Sequence, residues 1–203
     1  MLILSVFLGF ITSYLGMITP SMLNITAIKI SIEKNKKTAT YFSIGVSFIV
    51  IFQAYFALFF LKIIYENPTI LETIEIAATV VFSILSIFFF WKAVQEQKEI
   101  VAKKIVKSGF LTGVGLSFIN MFAIPFYCGV AALLNMYDFL ELNLVSISFF
   151  VLGSTFGTFF ILYHYVLLAE KIKPQIAKFS KYLNIVLGSI TGIVALISLI
   201  KLL

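Results

Sequence analysis

Residues 109–134 read GFLTGVGLSFINMFAIPFYCGVAALL, an apolar run with no charged side chain and a proline, Pro125, in its second half. An α-helix rises 1.5 Å per residue, so about 20 apolar residues cross the hydrocarbon core of a bilayer. This run is long enough to do so. Proline cannot donate a backbone N–H and clashes with the carbonyl four residues back. The span is therefore expected to be broken, with the carbonyl of Met121 left open. Five more apolar stretches lie near 2–28, 40–62, 74–91, 144–168 and 182–200. The first of these also contains a proline, Pro20, which leaves Gly16 with a spare carbonyl. In lipid such freed groups must be satisfied by protein, water or ligand, so the two broken spans are where function is to be sought.

The composition agrees. Hydrophobic residues make up 61% of the 203 residues and charged residues 12%, against about 45–50% and about 25% in soluble domains. The chain reads as an all-α integral membrane protein with six transmembrane helices. Its longest polar stretch, 92–108, is a connector, which leaves no aqueous domain and argues against catalysis in water. Cys128 is alone, so paired-thiol redox chemistry is excluded, and it reads as a small apolar filler. Met1 to Ser13 has no basic leader and is expected to be a retained first span rather than a removable signal.

The formal net charge is +6, and all fifteen basic residues are lysines. Without arginine forks for phosphates or bases, nucleic acid is not the expected partner. Lys29, Lys34, Lys36 and Lys37 follow span one. Lys92, Lys98, Lys103, Lys104 and Lys107 follow span three, and Lys171, Lys173, Lys178 and Lys181 follow span five. Only Lys62 and Lys201 fall on the other side. The positive-inside rule then places these connectors in the cytoplasm, against anionic lipid, and both termini outside.

Three spans on each side of the connector suggest a duplicated unit, 1–91 and 109–203. An odd number of spans makes the second copy enter from the opposite face, an inverted 3+3 repeat. Pro20 and Pro125 lie at mirrored depths. Paired interrupted helices at a repeat interface are a recurrent site design in secondary transporters; two unrelated proline kinks are the alternative. Gly109 with Gly113, Gly153 with Gly157, and Gly188 with Gly192 form small-xxx-small pairs suited to close helix packing.

Around the first break lie Thr19, Ser21, Asn24 and Thr26; around the second lie Ser117, Asn120 and Tyr127. Neutral donors and acceptors beside open carbonyls suit a small zwitterion, carbonyls toward its ammonium and amides toward its carboxylate. Serine and threonine also back-bond to their own helices, which is the plainer role for each of them. Asn24, Asn120 and Gln53 carry amides that are costly in lipid and are expected to face the bundle. Thr155 is a further candidate for lining the path. His164 is the one side chain in the spans whose unperturbed pKa permits proton exchange near neutrality, making it the candidate for proton coupling; an interfacial structural role is its alternative. No Asp or Glu lies well inside a span, so neither a metal site nor a resident cofactor is expected. Gly115-Leu116-Ser117-Phe118 with His164 loosely mimics an intramembrane serine protease, but the second glycine expected after the serine is absent.

Two motifs extend this reading. Ile18-Thr19-Pro20-Ser21-Met22-Leu23 is followed by a Lys-rich connector and Phe42-Ser43-Ile44-Gly45. Gly109-Phe110-Leu111 is followed by Asn120-Met121-Phe122-Ala123. With six spans over essentially the whole length, the chain resembles the lysine-exporter (LysE) family of bacterial amino-acid exporters. Of that family's Pro-Gly-Pro element Pro20 is kept. Of its Asn-Pro-Lys-Ala element Asn120 is kept, Met121 and Phe122 replacing proline and lysine. The resemblance implies export of an amino acid or small derivative across a bacterial inner membrane, driven by the proton-motive force, and carries over Pro20 and Asn120 alone. The residues themselves point to a substrate site between spans one and four, with Pro20 and Pro125 breaking the helices, Asn24 and Asn120 supplying polar contacts, and Gln53 or Thr155 lining the path. A non-transporting membrane scaffold and the serine protease remain as alternatives, and homo-oligomerisation is left open.

Overall fold

The computed structural model describes residues 2–18, 21–66, 83–84, 86–87, 91, 108–120, 122–171, 189, 192–193, 196–197 and 199–200. Spans three and six and the 92–107 connector fall almost wholly outside the described residues, as does Pro20. Six helices are delimited: α1 (Leu2–Gly16), α2 (Met22–Glu33), α3 (Lys36–Glu66), α4 (Gly109–Ile119), α5 (Ala123–Met136) and α6 (Leu144–Leu167). No strand occurs among the described residues. The helices α3 and α6 are each long and apolar enough to cross a membrane. The pair α4 and α5, bent by 66° at their junction, make a third if counted as one span. The chain divides into two compact units: Met1–Ile63 with Val106–Pro174, which holds nearly all of the delimited helices, and Ile64–Ile105 with Gln175–Leu203. In the second unit, a Cβ on Gly192 would lie 2.9 Å from Ser86 Oγ, a small-residue contact.

Local sequence sets the helix ends. Asn35 and Asn143 begin α3 and α6, each accepting through its side-chain oxygen the N–H three residues on, of Thr38 and Ser146, at 2.8 Å. Ser108 does the same for α4 with Leu111 at 3.4 Å. The end of α5 is a Schellman turn: Asp138 has φ 59, its N–H reaches Asn135 O at 3.0 Å, and Phe139 N–H reaches Leu134 O at 2.9 Å.

Packing in the first unit rests on two close helix pairs. Gly9 of α1 lies against the Phe150 carbonyl and Ser154 N of α6, while Gly153 of α6 lies against the Val6 carbonyl and Phe10 N of α1. Between α3 and α4 the contacts recur. Gly113 lies against the Phe42 carbonyl and Val46 N, and Gly45 against the Phe110 carbonyl and Val114 N. One sequence offset carries Val6, Gly9 and Phe10 to Phe110, Gly113 and Val114. A second, one helical turn larger because the connector from α5 to α6 is longer, carries Asn35, Phe42, Gly45 and Val46 to Asn143, Phe150, Gly153 and Ser154.

The buried cores follow the same offsets. Leu23 and Ala27 of α2 join Phe42 of α3 and Leu162 and Val166 of α6 in one core. Tyr127 and Ala131 of α5 join Phe150 of α6 and Ala54 and Leu58 of α3 in the other. Residues early in α3 thus pack with residues late in α6 and the reverse, so the two helices run antiparallel. Large apolar side chains such as Phe7, Phe52, Phe56, Phe118 and Phe156 remain exposed, the surface expected of a protein whose solvent is hydrocarbon.

Candidate functional site

The first span is interrupted between Gly16 and Met22. Its chain leaves α1 through a turn, with Ile18 N–H on Leu15 O at 3.2 Å, and re-enters a helix after the extended residue Ser21 (φ −108, ψ 176). Asn24, fully buried, closes this gap from the far side: its Nδ2 donates to Met17 O at 2.7 Å, and its Oδ1 accepts the Ser21 hydroxyl at 3.2 Å. The next open carbonyl, of Ile18, accepts the Tyr165 hydroxyl of α6 at 2.5 Å. Two side chains, one local and one from a neighbouring helix, thus satisfy backbone groups that the break sets free.

In the second broken span the gap falls at 120–122, between α4 and α5. Pro125 sits in the first turn of α5, where a backbone N–H has no intrahelical acceptor and its loss costs little. The break therefore precedes the proline instead of following from a lost bond within a continuous helix. Asn120 ends α4, its N–H returning to Ser117 O at 3.0 Å. Gln53, mid-way along α3, spans the gap, its Nε2 donating to Ser117 O at 2.9 Å and Asn120 O at 3.3 Å. Both partners are carbonyls, so the amide nitrogen must face them and the orientation of the Gln53 side chain is fixed by chemistry. Its oxygen, Oε1, faces away, is buried and accepts no hydrogen bond among the described residues. Asn120 itself is half-buried at the break.

The two broken spans meet. Ser13 of α1 and Tyr127 of α5 share a buried hydrogen bond at 2.8 Å, with the buried Thr158 of α6 beside the Tyr127 hydroxyl. Gly16 lies under the ring of Phe126. Asn24, Asn120, Gln53 and Pro125 thus gather around two neighbouring helix gaps. Thr155 is elsewhere engaged: its hydroxyl bonds to Val151 O of its own helix at 2.8 Å. So do several other hydroxyls, Thr26 to Met22 O, Ser43 to Ala39 O and Ser148 to Leu144 O among them.

His164 lies one residue off the buried face of α6. It is exposed, with Nδ1 3.1 Å from the Tyr14 hydroxyl and its ring edge-on to Tyr14. Ser117 is buried and donates to Val46 O at 3.4 Å, so the serine and histidine take different partners and form no dyad. Tyr165, next to His164 and not singled out from the sequence, is a buried member of the first break. The signal was the four-residue step from Gly157 to Ile161 to Tyr165 along the buried face. Cys128 is more than filler, since its thiol donates to Ala57 O at 3.1 Å.

Residues 14–201, spanning both breaks and all helices from α2 to α6, match the family model described as LysE type translocator. The chain belongs to the LysE type translocator family. No curated protein and no solved structure matches the chain. As a LysE type translocator it is a membrane transport protein.

Proposed function

We propose that this translocator is a secondary transporter that exports an amino acid or a small derivative across a bacterial inner membrane. It works by alternating access in a six-span inverted 3+3 repeat, with the cargo held between spans one and four by Asn24, Asn120, Gln53 and the backbone beside Pro20 and Pro125. The observation that carries this reading is the pair of helix gaps whose free carbonyls are held by side chains rather than by helix continuation. In membrane carriers such irregular backbone is tolerated where it lines a cavity. The recurrence of Asn35, Phe42 and Gly45 as Asn143, Phe150 and Gly153 in antiparallel helices supports the repeat. So do two contacts between the halves at the same offsets, Asn24 by Tyr165 and Cys128 by Ala57.

A deletion strain is expected to accumulate labelled cargo inside the cell, and the restored gene to lower it. Asn120→Ala is expected to insert and fold normally yet reduce that export at least ten-fold; wild-type export would remove Asn120 from the site.

Proton-motive drive needs a carrier of protons, and His164 with Tyr14 is the candidate on these helices. His164→Gln is expected to flatten the pH dependence of export. A profile superimposable on that of the wild type rules the histidine out.

A further inference from the structure

Residues 2–28, 38–61, 109–137 and 142–163 contain no Asp, Glu, Lys, Arg or His. Among the described residues, these stretches supply the side chains that meet the two helix gaps: Ser13, Ser21, Asn24, Gln53, Ser117, Asn120, Tyr127 and Thr158 from within them, with Tyr165 two residues beyond. All of these are formally neutral.

A monovalent cargo would lose its hydration here without meeting an opposite charge, and an unpaired buried charge is far costlier than a buried neutral polar group. A zwitterion differs. Each of its two charges is matched by oriented dipoles, and the molecule as a whole brings no net charge into the low-dielectric bundle. Within this site one atom is already turned toward such a guest. Gln53 is nine-tenths buried (8% exposed), both of its N–H groups are committed to Ser117 O and Asn120 O, and Oε1 is left as an unmet acceptor. An acceptor in that position calls for an N–H donor.

Building on the carrier reading above, we infer that the cargo is an amino acid of zero net charge, whose ammonium group is received by Gln53 Oε1 and whose carboxylate is met by neutral donors at the break, among them the Asn120 amide. The polar lining thereby sets charge selectivity: neutral side chains are accepted, lysine-like and glutamate-like ones are refused.

The test uses the purified full chain in proteoliposomes, measuring counterflow of labelled alanine, threonine, leucine, lysine and glutamate. At least one neutral amino acid is expected to exchange, with lysine and glutamate slower than the best of them by ten-fold or more. Lysine or glutamate exchanging as fast as the best neutral substrate overturns the inference while leaving the carrier reading intact. Exchange of none of the five overturns both.

Gln53→Glu places a negative charge at the acceptor and is expected to raise the lysine-to-neutral ratio at least ten-fold. Asn120→Asp, at the half-buried edge of the same gap, reads the same shift should the first variant fail to fold. An unchanged ratio in a folded Gln53→Glu protein shows that Oε1 is satisfied by a buried water and is not the cargo's anchor.

Discussion

Leucine at Gly153 is expected to eliminate the folded protein from a detergent extract. A Cβ there would overlap the Val6 carbonyl and lie 2.9 Å from Phe10 N, and both obstacles are backbone of α1 that no side-chain rotation can clear. To admit the new side chain α1 must leave α6, which also undoes the contacts of Gly9 with Phe150 and of Gly157 with Phe10. Helix association in membranes depends on such close approach, because lipid offers no hydrophobic penalty for separation. Overpacking against rigid backbone belongs to the small class of substitutions costing more than about 4–5 kcal/mol, comparable to the whole stability of many proteins. Gly115 is the comparison, since a Cβ there meets nothing within 4 Å, and Gly115→Ala is expected to be tolerated. Size-exclusion profiles and melting midpoints of the two variants decide the matter. A monodisperse Gly153→Leu protein with the wild-type midpoint would show that the α1–α6 contact is not what holds the unit together.

Asn24→Leu is expected to cost both stability and transport. The replacement is close in volume, and the site is fully buried, so packing is nearly conserved and the loss is electrostatic. Met17 O forfeits its partner and the Ser21 hydroxyl its acceptor. Each buried group left unpaired costs about 1–3 kcal/mol, and for a chain of this size each kcal/mol lowers the midpoint by roughly 2–4 °C. With the gap no longer fixed, export is expected to fall at least ten-fold. Thr26→Val, which removes only a hydroxyl bonded to Met22 O in its own helix, should leave both readings unchanged. Export at the wild-type rate by Asn24→Leu would detach the first gap from the transport cycle.

How far these features could be read in advance depends on which interaction decides each. Long uninterrupted helices were legible from hydropathy alone: the stretches 40–62 and 144–168 correspond to α3, Lys36–Glu66, and α6, Leu144–Leu167. α3 begins earlier because Asn35 caps it, a local signal at its start. The existence of two gaps followed from the prolines, yet the position of the second did not. Proline disfavours a helix interior but suits a first turn, so the break settled upstream, at Asn120. The side chains that fill the gaps were only half legible. Asn24, Asn120 and Gln53 stood out because amides are rare in apolar spans, whereas Tyr165 did not, since an aromatic near a helix end has an interfacial role of its own. The recurrence of glycine contacts between α1–α6 and α3–α4 was hidden by composition. Few side chains coincide, but backbone contacts at glycine depend on small size at a handful of positions, and those positions are what recurs.

One thiol serves this whole chain, and it is held against the Ala57 carbonyl from α5 to α3. Cys128 is half-buried, and its alkylation removes the proton that the thiol donates to that carbonyl. Native protein therefore carries its own reporter of how exposed this contact between α5 and α3 becomes. Alkylation timed with and without saturating substrate, on unmodified protein and followed by mass, would follow that exposure directly.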